Sequence, residues 1–314
     1  MHIAIIGAGG VGSYYGARLV SSGMKTTFVA RGKHLEAIKK NGLHVNHKDF
    51  EFEDFEFEDF VDAYDLQALL LKDPREFDAL IVLTKAILTK EIAITLAKWC
   101  AKHTPYIISL QNGVENEDIL ASYIDPKKII GGLSVKIGAH IIKPGIVHAI
   151  GEAQTPLGLW QESEEGKTFL HDFVAILSKS NIPANISEDI RLELWKKLII
   201  NNGVNAICAL LEKKTGEIMH HKKLSLIVLG LMHETAKAAK VAGVEVSQKD
   251  VQDMFELISK FDSIKTSMLV DRENSRELEL DEICGVVIKN CELQGLDAPY
   301  TRTISTLLEV VYES

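Results

Sequence analysis

The run His2-Ile3-Ala4-Ile5-Ile6-Gly7-Ala8-Gly9-Gly10-Val11-Gly12 decides how the rest of the chain is read. Five residues of an apolar strand lead straight into the spacing G-x-G-x-x-G, and a helical pattern opens at once and runs to Gly23. The pattern alone is weak, but strand, glycine turn, helix and second strand together are the context of a dinucleotide-binding loop. Each glycine has its own reason. Gly7 permits the tight turn, Gly9 lets the backbone approach a pyrophosphate, and Gly12 lets helix and strand pack closely. The amides that open the helix, at Gly10 and Val11, then face the anion.

The second strand, residues 26–30, ends Val29-Ala30-Arg31-Gly32-Lys33. A site for NAD usually carries an Asp or Glu there to accept the ribose hydroxyls. Here a guanidinium takes that place, and Arg31 can clamp a 2′-phosphate with two parallel hydrogen bonds. The expected cofactor is therefore NADPH/NADP+.

Outward from this start, short apolar runs at residues 79–84, 106–110 and 129–135 alternate with helical patterns at 34–41, 87–102 and 115–123. That alternation predicts a parallel sheet with helices on its faces. Residues 146–150 and 157–160, separated by Gly and Pro, read as antiparallel strands closing the domain. A helix over 167–180 and a short strand near 184–186 follow. From about residue 190 helical periodicity dominates, at 191–211, 223–242, 249–261, 279–294 and 299–311, with Gly243 and Gly295 as stops. The fold class expected is an α/β Rossmann-type dinucleotide-binding domain over residues 1–188, followed by a mostly α-helical domain over 189–314.

The length of 314 residues suits two domains, and 46% hydrophobic with 25% charged residues suits a globular chain with a sizeable core. A net charge of -9 argues against a general nucleic-acid binder. No secretory leader is visible, and no apolar run approaches the ~18 residues of a membrane span, so a cytoplasmic protein without membrane contact is expected. Cys100, Cys208, Cys284 and Cys291 lack zinc spacing and read as small buried residues. His220-His221 reads as a surface or capping pair. Residues 49–60, DFEFEDFEFEDF, repeat a five-residue unit. A hairpin or bulged edge strand with Phe inward explains them better than an acidic partner-binding strip.

Ligands of open α/β sheets collect beyond the carboxyl ends of the strands. Two such ends run into Lys85, which can hold a carboxylate, and into Gln111-Asn112-Gly113, where Asn112 can touch a nicotinamide ribose or a substrate. In the second half, Glu193-Leu194-Trp195-Lys196-Lys197-Leu198 continues to Asn201 and Asn205. On a helix, Lys197, Asn201 and Asn205 share one face. A buried amide wants a polar partner, either a ligand or another helix. Hydride reduction of a ketone needs a proton for the developing alkoxide, and a partly buried lysine facing a cleft can donate it.

Taken in order, these motifs resemble the ketopantoate reductase (2-dehydropantoate 2-reductase) family over nearly the whole chain. The match runs through the glycine loop, Arg31, Leu83-Thr84-Lys85-Ala86, Gln111-Asn112-Gly113 and the Glu193–Asn205 stretch. It continues in Thr266-Ser267-Met268-Leu269 and Leu278-Glu279-Leu280-Asp281. The resemblance implies an NADPH-dependent reductase turning 2-dehydropantoate into (R)-pantoate, on the route to pantothenate and coenzyme A. It implies that Lys197 is the general acid and that Glu279 orients it and bonds the substrate hydroxyl. Ser267 would hold the substrate carboxylate, with Asn201 and Asn205 lining the same pocket. Lys85 and Asn112 would contact cofactor and substrate in a cleft between the domains. Partners so implied are a small 2-oxo acid, no nucleic acid and no membrane, with a homodimer compatible. Leu278 and Leu280 around Glu279, and the Phe/acid repeat, depart from the family pattern. The alternatives are a reductase of another small 2-oxo acid and a non-catalytic NADP-binding regulator.

Overall fold

The computed structural model describes residues 1–48, 54–260 and 263–312. The chain forms two compact units, Met1–Ile190 and Arg191–Ser314.

In the first unit the strands are β1 (His2–Ile6), β2 (Lys25–Val29), β3 (Leu43–Lys48), β4 (Phe55–Asp59), β5 (Asp62–Tyr64) and β6 (Ala79–Val82). They continue with β7 (Tyr106–Ser109), β8 (Ile129–Gly132), β9 (Gly138–Lys143), β10 (Ile146–Ile150), β11 (Thr155–Leu159) and β12 (Ala184–Ile186). The helices are α1 (Gly10–Ser21), α2 (Gly32–Asn41), α3 (Leu66–Leu69), α4 (Thr89–Trp99), α5 (Asn116–Ala121) and α6 (Glu164–Lys179). Eight strands make the main sheet in the order β12-β11-β8-β7-β6-β1-β2-β5. All neighbours in it are parallel except β11 against β8.

Successive side chains point to opposite faces of a strand, and β1, β6 and β7 are buried throughout because both faces of the sheet are covered. Ile3, Ile5, Ile81 and Ile108 enter one core with Tyr14, Tyr15 and Leu19 of α1. Their neighbours Ala4, Ile6, Leu80, Val82 and Ile107 enter a second core on the opposite face, with Ile92 and Leu96 of α4 and Leu120 of α5.

A separate four-stranded sheet, β4-β3-β10-β9, is not legible in the sequence. It packs on α1 through β3, β9 and β10. The strands at 146–150 and near 157–160 do have antiparallel partners, but not each other. β10 is antiparallel to β9 and parallel to β3, whereas β11 is antiparallel to β8 and parallel to β12. β3 and β9 are not among the strands expected from the sequence: each is only six residues long, and His, Asn and Lys among them weaken the apolar signal.

The second half of the Phe/acid repeat is an edge strand. β4 pairs antiparallel with β3, Phe57 is buried, and Glu56 and Glu58 are exposed. Phe55 lies under the Arg18 guanidinium, 3.9 Å from its ring centroid. Arg18 donates to Nδ1 of the buried His47, at 2.8 Å. His47 Nε2 donates to the Gly151 carbonyl at 2.7 Å, so the ring is neutral with its hydrogen on Nε2. Residues 49–53 of the repeat lie outside the described residues.

The second unit is helical: α7 (Ile190–Leu211, whose first residue belongs to the first unit), α8 (Thr215–Met219), α9 (Lys222–Ala238), α10 (Gln248–Lys260), α11 (Ser267–Glu273), α12 (Val286–Leu293) and α13 (Pro299–Tyr312). Gly243 and Gly295 take the left-handed conformation that ends a helix, at φ 71° and 68°. The helix expected over 279–294 opens instead with a π turn, Asp281–Gly285, before α12. The buried Glu234 of α9 accepts from the Tyr300 and Thr301 amides, at 2.9 and 2.8 Å, and so caps α13. All four cysteines are buried thiols. His221 caps α9 by accepting from the Leu224 amide at 3.3 Å. Among the described residues no helix is long and apolar enough to cross a membrane, and no His/Cys/Asp/Glu group could hold a metal ion.

Candidate functional site

Four neighbouring parallel strands, β7-β6-β1-β2, present the polar groups of the first unit at one edge of the sheet. The glycine loop follows β1, Arg31 follows β2, Lys85 follows β6 and Asn112 follows β7. The strand order reverses between β1 and β6, and ligands of such sheets bind beyond the carboxyl ends at that switch.

The loop geometry fits a dinucleotide. Gly7 has φ 99°, which a side chain rarely adopts, and a Cβ there would lie 2.8 Å from the Thr84 amide. Gly12 abuts the Gly7 carbonyl, where a Cβ would lie 2.3 Å away. At Gly9, by contrast, a Cβ would meet nothing within 4 Å, so open space lies over the loop where a phosphate would stand. The Ala8 amide is spent on the Val29 carbonyl at 2.8 Å. The amides of Gly10, Val11 and Gly12 open α1 and have no intrahelical acceptor. No acidic residue occupies the first turn of α1 to compete for them.

Arg31 is exposed in extended backbone at the start of α2, and no carboxylate pairs with it among the described residues. The turn that follows needs Gly32, at φ 56°. Lys85 and Asn112 are both partly buried. A buried relay joins their two loops. Gln111 Nε2 donates to Thr84 Oγ1 at 3.2 Å and to Thr89 Oγ1 at 2.8 Å. Thr89 donates to Asn116 Oδ1 at 2.7 Å, and Asn116 Nδ2 donates to the Asn112 carbonyl at 2.6 Å.

In the second unit Lys197 and Asn201 are partly buried and Asn205 is buried on α7. Asn205 Nδ2 is buried with no partner among the described residues. Such an amide costs about 1–3 kcal/mol until an oxygen reaches it. The neighbouring Asn202 is the interhelical one: its Nδ2 donates to Thr235 of α9 at 2.9 Å and to Thr301 of α13 at 3.0 Å, while its Oδ1 is buried with no partner among the described residues. Lys196 Nζ lies 3.0 Å from Asp250. Ser247 hydrogen bonds hold that carboxyl down at about 2, with help from Lys196 and against burial. Ser267 is exposed at the first position of α11, and Thr266 caps that helix. Arg272 of α11 donates to the Ala209 and Leu210 carbonyls, fixing α11 to α7 one turn beyond Asn205. Glu279 is buried just before the π turn.

The family model for the ketopantoate reductase PanE/ApbA family matches residues 3–162, and the model for its C-terminal region matches 189–312. The chain belongs to this family. A 2-dehydropantoate 2-reductase of Archaeoglobus fulgidus is 30% identical over 98% of this chain and 97% of its own length. One from Pyrococcus abyssi is 27% identical over 95% and 94%. Among solved structures, the ternary complex of D-mandelate dehydrogenase with NADH and anilino(oxo)acetate covers 100% of this chain and 99% of its own. It aligns with a TM-score of 0.88 at 25% identity. The 2-dehydropantoate 2-reductase of Geobacter metallireducens covers 99% of this chain and 100% of its own, with a TM-score of 0.84 at 28% identity.

Within this ketopantoate reductase frame, Thr89 and Asn116 escaped sequence reasoning, and Gln111 was named only as part of a motif. Thr89, Gln111 and Asn116 hold the loops that carry Lys85 and Asn112. Gln111 had a visible signal, an amide at a strand end beside Asn112. Thr89 and Asn116 had none, since a Thr or an Asn opening a helix is ordinary.

Proposed function

We propose that this chain is an NADPH-dependent reductase that converts 2-dehydropantoate to (R)-pantoate, a cytoplasmic step towards pantothenate and coenzyme A. The observation that carries the reading is the Lys197–Asn201–Asn205 face, with its buried unpaired amide, in a chain that matches both family models.

NADPH would be held by the amides of Gly10, Val11 and Gly12 at its pyrophosphate. Gly7 and Gly9 would shape the loop, Arg31 would take the 2′-phosphate, and Lys85 and Asn112 would take the nicotinamide side. When bound, the reduced nicotinamide supplies the hydride that reaches C2 of the 2-oxo acid. Lys197 donates its ammonium proton to the carbonyl oxygen as that oxygen gains charge, and solvent later restores the proton. Glu279 orients Lys197 and accepts from the new hydroxyl. Ser267, Asn201 and Asn205 hold the carboxylate and side-chain hydroxyl so that one face of the ketone meets the hydride donor.

A second reading is a wider 2-oxo acid reductase, favoured by the likeness to D-mandelate dehydrogenase. NADPH oxidation measured with ketopantoate, 2-oxoisovalerate, pyruvate and phenylglyoxylate separates the two. Ketopantoate should have the highest kcat/KM, and Lys197→Ala should lose about 10²-fold or more in kcat. A higher kcat/KM for phenylglyoxylate selects the second reading. Near-normal turnover by the Ala variant removes Lys197 from the role of acid.

A further inference from the structure

The glycine loop and Arg31 account for the two phosphate contacts of the dinucleotide, and His34 stands between them without a role. It lies in the first turn of α2, three residues after Arg31. Its Nδ1 accepts the Gly145 amide at 3.0 Å. A ring nitrogen that accepts carries no hydrogen, so the neutral ring has its hydrogen on Nε2. Nε2 is buried and has no partner in hydrogen-bonding geometry among the described residues. Burial pushes the ring's pKa down, and the Ala8 carbonyl of the glycine loop acts the other way, which places that carbonyl beside the ring.

Gly145 is the turn of the β9–β10 hairpin, at φ 82°. The same hairpin touches the glycine loop at a second point. A Cβ on Gly10 would lie 2.0 Å from the Ala139 carbonyl of β9. The hairpin, the glycine loop and the arm that carries Arg31 therefore converge on one imidazole.

We infer that His34 is a positioning residue for the dinucleotide: it pins the Arg31 arm to the β9–β10 hairpin through Gly145 and directs its Nε2–H at the Ala8 carbonyl of the glycine loop. The inference rests on the NADPH site proposed above. It gives the small second sheet a part in cofactor binding, as the brace behind the glycine loop.

The test is NADPH binding by fluorescence, with no substrate present, on the full chain. His34→Phe fills the space without acceptor or donor, and His34→Gln supplies both. NADPH Kd should rise about tenfold for Phe and stay within about twofold of wild type for Gln. At saturating NADPH, kcat should stay within about twofold for both. If the Phe variant does not fold, His34→Ala is read in its place, with the same expectation. A folded Phe or Ala variant with unchanged Kd overturns the inference, and so does a Gln variant as weak as Phe. Absence of ketopantoate turnover in the wild type would count against the proposed reaction alone, because NADPH binding is read separately.

Discussion

Replacing Thr89 by Val exchanges one hydroxyl for a methyl of the same shape, at a residue that is fully buried. Two hydrogen bonds go with it, the 2.8 Å bond from Gln111 Nε2 and the 2.7 Å bond to Asn116 Oδ1. Gln111 keeps its bonds to the Thr84 carbonyl and hydroxyl, at 3.1 and 3.2 Å, so its amide is not stranded. Asn116 Oδ1 loses the donor that holds it among the described residues. Leaving one buried acceptor unmade costs on the order of 1–3 kcal/mol, and a central value of about 2 kcal/mol is about thirtyfold in the folding equilibrium. For a unit the size of Met1–Ile190, which holds the relay, that corresponds to a Tm lower by about 4–8 °C. Asn116 also holds the Asn112 carbonyl at 2.6 Å, so the loop that carries Asn112 should loosen and KM should rise. Thr89→Ser keeps the hydroxyl and sacrifices only a methyl, and should melt nearer to wild type. Scanning calorimetry of the three proteins decides the matter. A Val variant melting within about 1 °C of wild type, or a Ser variant falling as far as Val, would refute the relay.

The remaining predictions concern the ligand loops and one acidic group. Arg31→Ala should weaken NADPH binding far more than NADH binding by titration, since the 2′-phosphate distinguishes the two; equal weakening would show another target. Gly9→Ala should melt like wild type, because a Cβ there meets nothing within 4 Å, yet bind NADPH at least about tenfold more weakly. Gly10→Ala should lower Tm even without cofactor, because its Cβ would press on the Ala139 carbonyl. The Asp250 carboxyl is depressed from 3.8 to about 2, so its contribution to stability is present above pH 3.8 and is lost as pH falls towards 2. Asp250→Asn should flatten that part of the stability–pH curve measured by urea unfolding, and an unchanged acid limb would contradict the assignment.

Much of the cofactor site was legible because its signals are local. A glycine that must take positive φ, an apolar run buried on both faces and a cation at a strand end are properties of a few consecutive residues. The face formed by Lys197, Asn201 and Asn205 was legible for the same reason, since one helical period defines it. Sequence alone did not separate Asn202, whose amide nitrogen spans helices, from Asn205, whose amide nitrogen is left open.

By itself, then, the sequence determined the parallel sheet, the glycine loop, the Arg31 arm and the polar stripe, since backbone sterics and side-chain period write these into neighbouring residues. Tertiary structure alone decided the second sheet, the brace at His34 and the relay under Asn112. Their bonds join residues 111 apart, for Gly145 and His34, and 22 apart, for Gln111 and Thr89. A hydrogen bond between distant residues leaves no periodic trace, because either partner alone is an ordinary polar side chain until the fold removes water from around it.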